Sequence, residues 1–227
     1  YMGSAQQTVT APAGSIVSSQ FSSADLVLPK TVTIGSAAEE DTKLVFDGNA
    51  QDFHIGLDDS ADSLTIGLGS TLGTTSHMVF DANGIITKPL QPAFLAHGSS
   101  GNDDMTAGST ATVVFGTEVY DQNSDFASNT FTAPVTGKYF LVFTMLFTDV
   151  DTGNSETEIR INTSNRIYRL FQIPSKLLSS DGSLGDSFSV VADMDANDTA
   201  IVQVTPAFGA SQMNIHPYSF FSGCLLA

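Results

Sequence analysis

With 227 residues and 41% hydrophobic side chains, the chain can bury one large domain, or a smaller domain plus an extended region, and wholesale disorder is excluded. Its 24 acidic residues against 8 basic ones, a formal net charge of −16, argue against nucleic-acid binding and against docking on anionic lipid, because both rely on Lys and Arg. A lone cysteine, Cys224, rules out an internal disulfide, and the longest apolar run, Tyr139 to Phe147, suits one buried strand rather than membrane insertion.

Residues 1–31 form an N-terminal segment rich in Ala, Ser and Thr, with one apolar patch at Leu26-Val27-Leu28 and a tag-like start at Tyr1-Met2-Gly3-Ser4. Residues 32–88 carry an imperfect repeat: Val32-Thr33-Ile34-Gly35, Leu44-Val45-Phe46-Asp47, Phe53-His54-Ile55-Gly56-Leu57, Leu64-Thr65-Ile66-Gly67-Leu68 and Met78-Val79-Phe80-Asp81. The spacing is roughly ten to thirteen residues, a strand plus a turn, and Asp47-Gly48-Asn49, Asp58-Asp59-Ser60 and Asn83-Gly84 supply the turns. Strands this short cannot bury a core within one copy. Three copies wrapped about a common axis, their apolar faces meeting, solve that problem better than a solenoid of five ragged units. The expectation is therefore a repetitive trimeric β shaft. The prolines of Ile86-Thr87-Lys88-Pro89-Leu90-Gln91-Pro92 break the strand pattern and mark a junction.

From residue 89 to 227 the texture is that of an all-β sandwich of about eight strands. Val, Ile and Phe alternate with polar residues at Thr112–Phe115, Glu158–Asn162, Ser187–Val190 and Ile201–Val204, and the one helical candidate is Pro174 to Leu178. Lys138 to Phe147 is apolar on both faces, so one side should meet the opposite sheet and the other a neighbouring protomer. Within this region Pro92-Ala93-Phe94, Tyr120-Asp121-Gln122-Asn123, Phe131-Thr132-Ala133-Pro134-Val135-Thr136-Gly137-Lys138-Tyr139-Phe140, Asn197-Asp198-Thr199-Ala200-Ile201-Val202 and the closing Phe221-Ser222-Gly223-Cys224-Leu225 fall in one order. That series resembles the signature of the complement-one-q / tumour necrosis factor superfamily of jelly-roll heads. Asn197 stands where the family has Gly, a swap a left-handed turn tolerates. The resemblance implies a homotrimer with a hydrophobic three-fold axis, with Phe131, Tyr139, Phe140, Phe143, Phe221 and Leu225 in core and trimer packing. The collagen-like stalk of the animal relatives is absent. The 32–88 repeat resembles shaft segments of tail-fibre proteins from marine bacteriophages.

Catalytic patterns fail on inspection. Gly185-Asp186-Ser187-Phe188 looks like a Gly-Asp-Ser lipase start, but Ser187 opens an alternating strand and no Asp-x-x-His follows. Asp193-Met194-Asp195-Ala196-Asn197 begins like a calcium loop, yet the sixth and twelfth places hold Asp198 and Val204. His54, His77, His97 and His216 show no ligand spacing for zinc. No cofactor is expected, an irregular calcium site at Asp149 and Asp151, or in the Asp193–Asn197 loop, being the candidate.

These observations lead to a non-enzymatic function: the distal part of a trimeric viral tail fibre, on the outside of a virion, binding a host cell-surface glycan or protein and joined to other virion tail proteins. Three heads on one shaft would multiply a modest single-site affinity. The expected ligand residues lie in distal loops, Asp149, Asp151, Asn154 and Glu156 in one and Asp193, Asp195 and Asp198 in another. A bacterial surface adhesin with the same head, a purely structural trimerisation module and a capsule hydrolase are the alternatives.

Overall fold

A computed structural model of the chain describes residues 30–99, 102–207 and 213–227, and the expected N-terminal segment therefore lies outside it up to residue 29. The repeat region folds as an antiparallel meander. Strands β1 (Thr42–Phe46), β2 (Phe53–Asp58), β3 (Ser63–Leu68), β4 (Ser76–Phe80) and β5 (Ile86–Thr87) pair in chain order as one five-stranded sheet. Four of the five repeat units are strands. The fifth, Val32–Gly35, is not: Val32 and Ile34 are exposed and unpaired, and Gly35 sits at φ 104°, so the chain turns before a ladder can start. Conversely Ile86–Thr87, expected in the junction, returns to pair with β4.

Register decides what each face of this sheet carries, because side chains alternate with a period of two. Leu44 pairs with Ile55, Ile55 with Ile66, and Ile66 with Met78; Leu57 pairs with Leu64, Leu64 with Phe80, and Phe80 with Ile86. All of these lie on one face. The opposite face presents His54, Gly56, Ser63 and Thr65, and the 69–75 loop folds back over it. Leu72 is buried there, so close that a methyl group on Gly56 would sit 2.9 Å from its Cδ2. The buried His54 ring lies with Nδ1 2.8 Å from the Gly69 carbonyl oxygen.

The remainder is a two-sheet sandwich, with twelve strands among the described residues rather than about eight, because four of them are too short to leave a pattern. They are β6 (Ala93–His97), β7 (Ala111–Thr112), β8 (Thr117–Asp121), β9 (Phe126–Ala127), β10 (Thr130–Thr132), β11 (Gly137–Val150), β12 (Glu156–Thr163), β13 (Ile167–Gln172), β14 (Gly182–Met194), β15 (Thr199–Ala207), β16 (Asn214–Ile215) and β17 (Phe220–Leu225). One helical turn, α1 (Pro174–Leu177), follows β13. One sheet has the order β14-β11-β17-β6-β8 with β16 also on β11, and the other β13-β12-β15-β10-β9 with β7 also on β15. The all-β jelly-roll class expected from the sequence is what the chain adopts.

Inward residues of both sheets make one aromatic-rich core. Phe94 stacks between Phe126 and Phe131 at ring-centroid distances of 4.9 and 4.8 Å, and meets Phe221 edge-on at 5.0 Å. Phe131 also packs on Tyr139 at 5.4 Å, and the Tyr139 hydroxyl donates to the Val135 carbonyl at 2.7 Å. The Phe131–Tyr139 signature thus closes the turn that launches β11. Asn197 takes φ 74°, the left-handed conformation anticipated for it.

Candidate functional site

The 14-residue β11 runs the length of the sandwich, roughly 45 Å at strand rise, and separates its two ends. At the Gly137 end lie Met194, paired with Gly137, and the Asp193–Asp198 turn, bonded to Ala133. The chain arrives from the meander at this same end. Gln91 Nε2 donates to the Leu225 carbonyl at 2.7 Å, Gln122 Nε2 to Lys88 at 2.9 Å and Asn123 Nδ2 to Leu90 at 2.8 Å. The Asp149–Glu156 segment is at the far end. Asp193, Asp195 and Asp198 are therefore not distal, as expected, but sit where the chain enters the sandwich; which loop shares an end with which is set by strand pairing, and no local pattern carries that.

The proximal carboxylates are also spoken for. Arg166 grips Asp193 with Nε at 3.0 Å and Nη2 at 2.9 Å, and the Tyr168 hydroxyl adds a bond at 3.3 Å. The guanidinium holds the Asp193 carboxyl far below the usual carboxylate range. Asp198 Oδ2 accepts from Asn165 Nδ2 at 2.6 Å and from the Asp195 backbone N–H at 2.8 Å, and Asp195 accepts from the Thr136 hydroxyl at 3.4 Å. These side chains staple β13 and the turn to the sandwich.

At the distal end Asp149, at φ 54°, accepts from Asn214 Nδ2 at 2.9 Å, and Asp151 accepts from the Gly153 N–H at 2.6 Å. Asn154 is buried, donating to Thr157 Oγ1 at 2.9 Å, while Glu156 is exposed. Among the described residues no three His, Cys, Asp or Glu side chains come together to hold a metal ion. Ser187 is a mid-strand residue of β14 whose hydroxyl lies 3.1 Å from Thr144 Oγ1, which is no nucleophile geometry.

What lacks partners is the outward face of the β14-β11-β17-β6-β8 sheet. Phe131, Tyr139, Phe143 and Phe221 point inward and are fully buried; Phe140, expected with them, points outward and is 38% exposed, and Leu225 is half-buried. Register gives Phe140 largely apolar neighbours, with the Lys138–Asp193 pair one step towards the Gly137 end. Phe140 pairs with Val191 on one side and Cys224 on the other, and one pair further along, Val142 faces Ser222, Ser222 faces Leu95 and Leu95 faces Tyr120. Val191 and Tyr120 are about half exposed. Sequence reasoning found the seam on β11, through its two-sided apolar pattern, but missed Leu95, Tyr120 and Val191. Nothing local tells the outward residues of those strands from the inward ones.

A two-sheet antiparallel sandwich of this strand order, with a largely apolar outer face on one sheet, defines the jelly-roll class. The C1q domain profile matches residues 93–226, and the chain belongs to the C1q domain family. No curated protein sequence matches it. Among solved structures it is similar to the globular domain of zebrafish complement 1qA, at 22% identity over 60% of this chain and 98% of that one, with a TM-score of 0.47. It is similar also to murine APRIL (14%, 60% and 99%, TM-score 0.45) and to Eiger TNF from S. frugiperda (14%, 60% and 94%, TM-score 0.45). C1q/TNF-like domains are trimers, generally extracellular, and typically binding or structural modules without catalysis. No helix among the described residues is long and apolar enough to cross a membrane.

Proposed function

We propose that the chain is the distal part of a homotrimeric viral tail fibre that recognises a host cell-surface glycan or outer-membrane protein by multivalent, non-catalytic binding. The observation that carries the trimeric part of this reading is the largely apolar outward face around Phe140, in a domain whose family assembles in threes. Exposed apolar surface of this extent on an otherwise acidic protein calls for a partner, and an identical sheet supplies it. Residues 32–88 form the shaft and 89–227 the head, with other tail proteins met on the N-terminal side. The virion assignment draws on the likeness of the repeat to marine phage fibre shafts. Receptor contacts fall to the distal segment containing Asp149, Asp151, Asn154 and Glu156, since variable loops on a rigid scaffold set specificity.

Light scattering on the native protein at micromolar concentration tests the assembly, with an expected mass three times the 23.9 kDa protomer; a compact single-copy species would refute it. Binding to host envelope fractions or a glycan array, with no reducing sugar released, tests recognition. Sugar release would make the protein a hydrolase. No binding by an intact trimer would leave a purely structural module, and immunolabelling of host cells rather than virions would make it an adhesin.

A further inference from the structure

We infer that the open face of the β1–β5 sheet is a second trimerisation surface, packed against the same face of two other copies of this chain about the axis shared with the head; this rests on the trimeric proposal above. The sheet is a single layer closed on one side only. Beneath it the 69–75 loop covers the β2–β3 part of the opposite face with Leu72 and the His54–Gly69 contact, while Lys43 and Val45 of β1 remain exposed there. Above it the cross-strand rows through Ile55, Leu64 and Phe53 stay open: Leu44, Leu64, Ile86, Phe46 and Phe53 are between 42% and 57% exposed in the protomer. Four strands of five or six residues and the short β5, about 4.8 Å apart, give a patch of roughly 400 Å² in projection, the size of the largest apolar patch on an ordinary monomer, which is often functional. Covering this face takes its apolar side chains out of water, which favours association.

Two observations identify the occupant as further copies of the chain. First, the face adjoins the head's own outward face. Ile86 and Pro92 line one groove of about 520 Å³ together with Ala93 and Cys224, which belong to the Phe140 patch, and with the polar Lys88, Gln91 and Gln122 at the junction. Copies that meet through the head therefore present these sheets to one another at the same height. Second, the strands place no Asp, Glu, Lys or Arg on this face. Each copy carries a formal charge of −16, so an uncharged face is the one along which copies approach at least electrostatic cost. Parallel three-fold packing then buries the Ile55 and Leu64 rows in a prism whose outside is the loop-covered face.

Hydroxyl-radical footprinting of the unmodified full chain, read by mass spectrometry at its native mass, tests this. Phe46, Phe53 and Phe171 are 57%, 43% and 48% exposed in the protomer, so they would oxidise at similar rates if the meander face were free. The expected result is a particle of trimeric mass in which Phe46 and Phe53 oxidise several-fold more slowly than Phe171. Ile55→Asp should keep the trimeric mass through the head and abolish that protection. A trimer whose Phe46 and Phe53 oxidise like Phe171, or protection that survives Ile55→Asp, overturns the inference and leaves the head trimer standing. A monomeric mass removes both.

Discussion

Gly223 offers the sharpest test of how the closing strand is seated. In β17 it points into the core, where an added Cβ would lie 2.7 Å from Leu141 Cδ2, 2.8 Å from Phe94 Cε1 and 3.1 Å from the Phe140 carbonyl oxygen. Real Cβ atoms do not approach that closely, so Gly223→Ala forces something to move. Leu141 is fully buried, and the Phe94 ring is wedged between Phe126 and Phe131, so neither has free space to enter. Overpacking of this kind costs about 1–3 kcal/mol. Against it stands a gain of about 0.4–1 kcal/mol from the stiffer unfolded chain. With both neighbours locked the cost sits in the upper part of its range, for a net loss of about 1.5 kcal/mol. In a chain of this size that lowers Tm by roughly 3–6 °C. Gly185→Ala in β14 is the internal control. Its Cβ would meet only the Met145 carbonyl oxygen, at 3.6 Å, so stability should hold or rise slightly. Both variants are melted beside the parent at equal protomer concentration, since assembly makes Tm concentration-dependent. A Gly223→Ala protein as stable as the parent, or a Gly185→Ala protein equally damaged, would refute the reasoning.

The double substitution of Phe140 and Val142 by Asp sets like charges on the outward face of all copies, and light scattering should then find protomers with the strand signal in circular dichroism retained. Tyr139→Phe keeps the ring on Phe131 but loses the bond to Val135, a cost of about 1 kcal/mol readable as a lower urea midpoint. The Asp193 carboxyl is held below its ordinary value of 3.8 in the fold. Its contribution is therefore fully present above that value and is lost as the pH falls below it. Urea midpoints measured between neutral pH and about pH 3 should drop more steeply for the parent than for Arg166→Ala, which has no such bond to lose.

Much of the head was legible because its signals are local. Pro134 and Gly137 bracket a turn, the Phe131 and Tyr139 rings meet across it, and Asn197 replaces glycine at a left-handed position; each is fixed by residues within one turn of chain. The meander was legible as repeats for the same reason, with Val32–Gly35 the exception, because an apolar quartet becomes a strand only where another strand offers a ladder. The acidic loops were opaque. Asp193 and Asp195 have ligand-like spacing, but the partner of Asp193 is Arg166, in the loop ahead of a different strand, and that pairing exists only once β13 lies beside β14. The distal set fared better because Asp149–Glu156 connects β11 directly to β12, so its place follows from the length of one strand.

The distribution of charge ties the two apolar surfaces together. An acidic chain of this size could spread its carboxylates evenly, and copies of it would then repel wherever they met. Here the central rows of both open sheet faces carry only uncharged side chains, while carboxylates gather in turns and at strand ends: Asp58 and Asp81 in the meander, Asp149, Asp151 and Glu156 at the far end of the head. Asp81 illustrates the division of labour. Its carboxylate accepts the backbone N–H groups of Asn83 at 2.9 Å and Ile85 at 2.7 Å, closing the turn that brings Ile86 back onto the apolar face beside Phe80. The charged group builds the turn, and the turn positions the uncharged one. Replacing Asp81 by Ala should therefore loosen β5 and weaken assembly through the meander while leaving the Phe140 patch of the head intact, an effect that protection of Phe80 against oxidation would report.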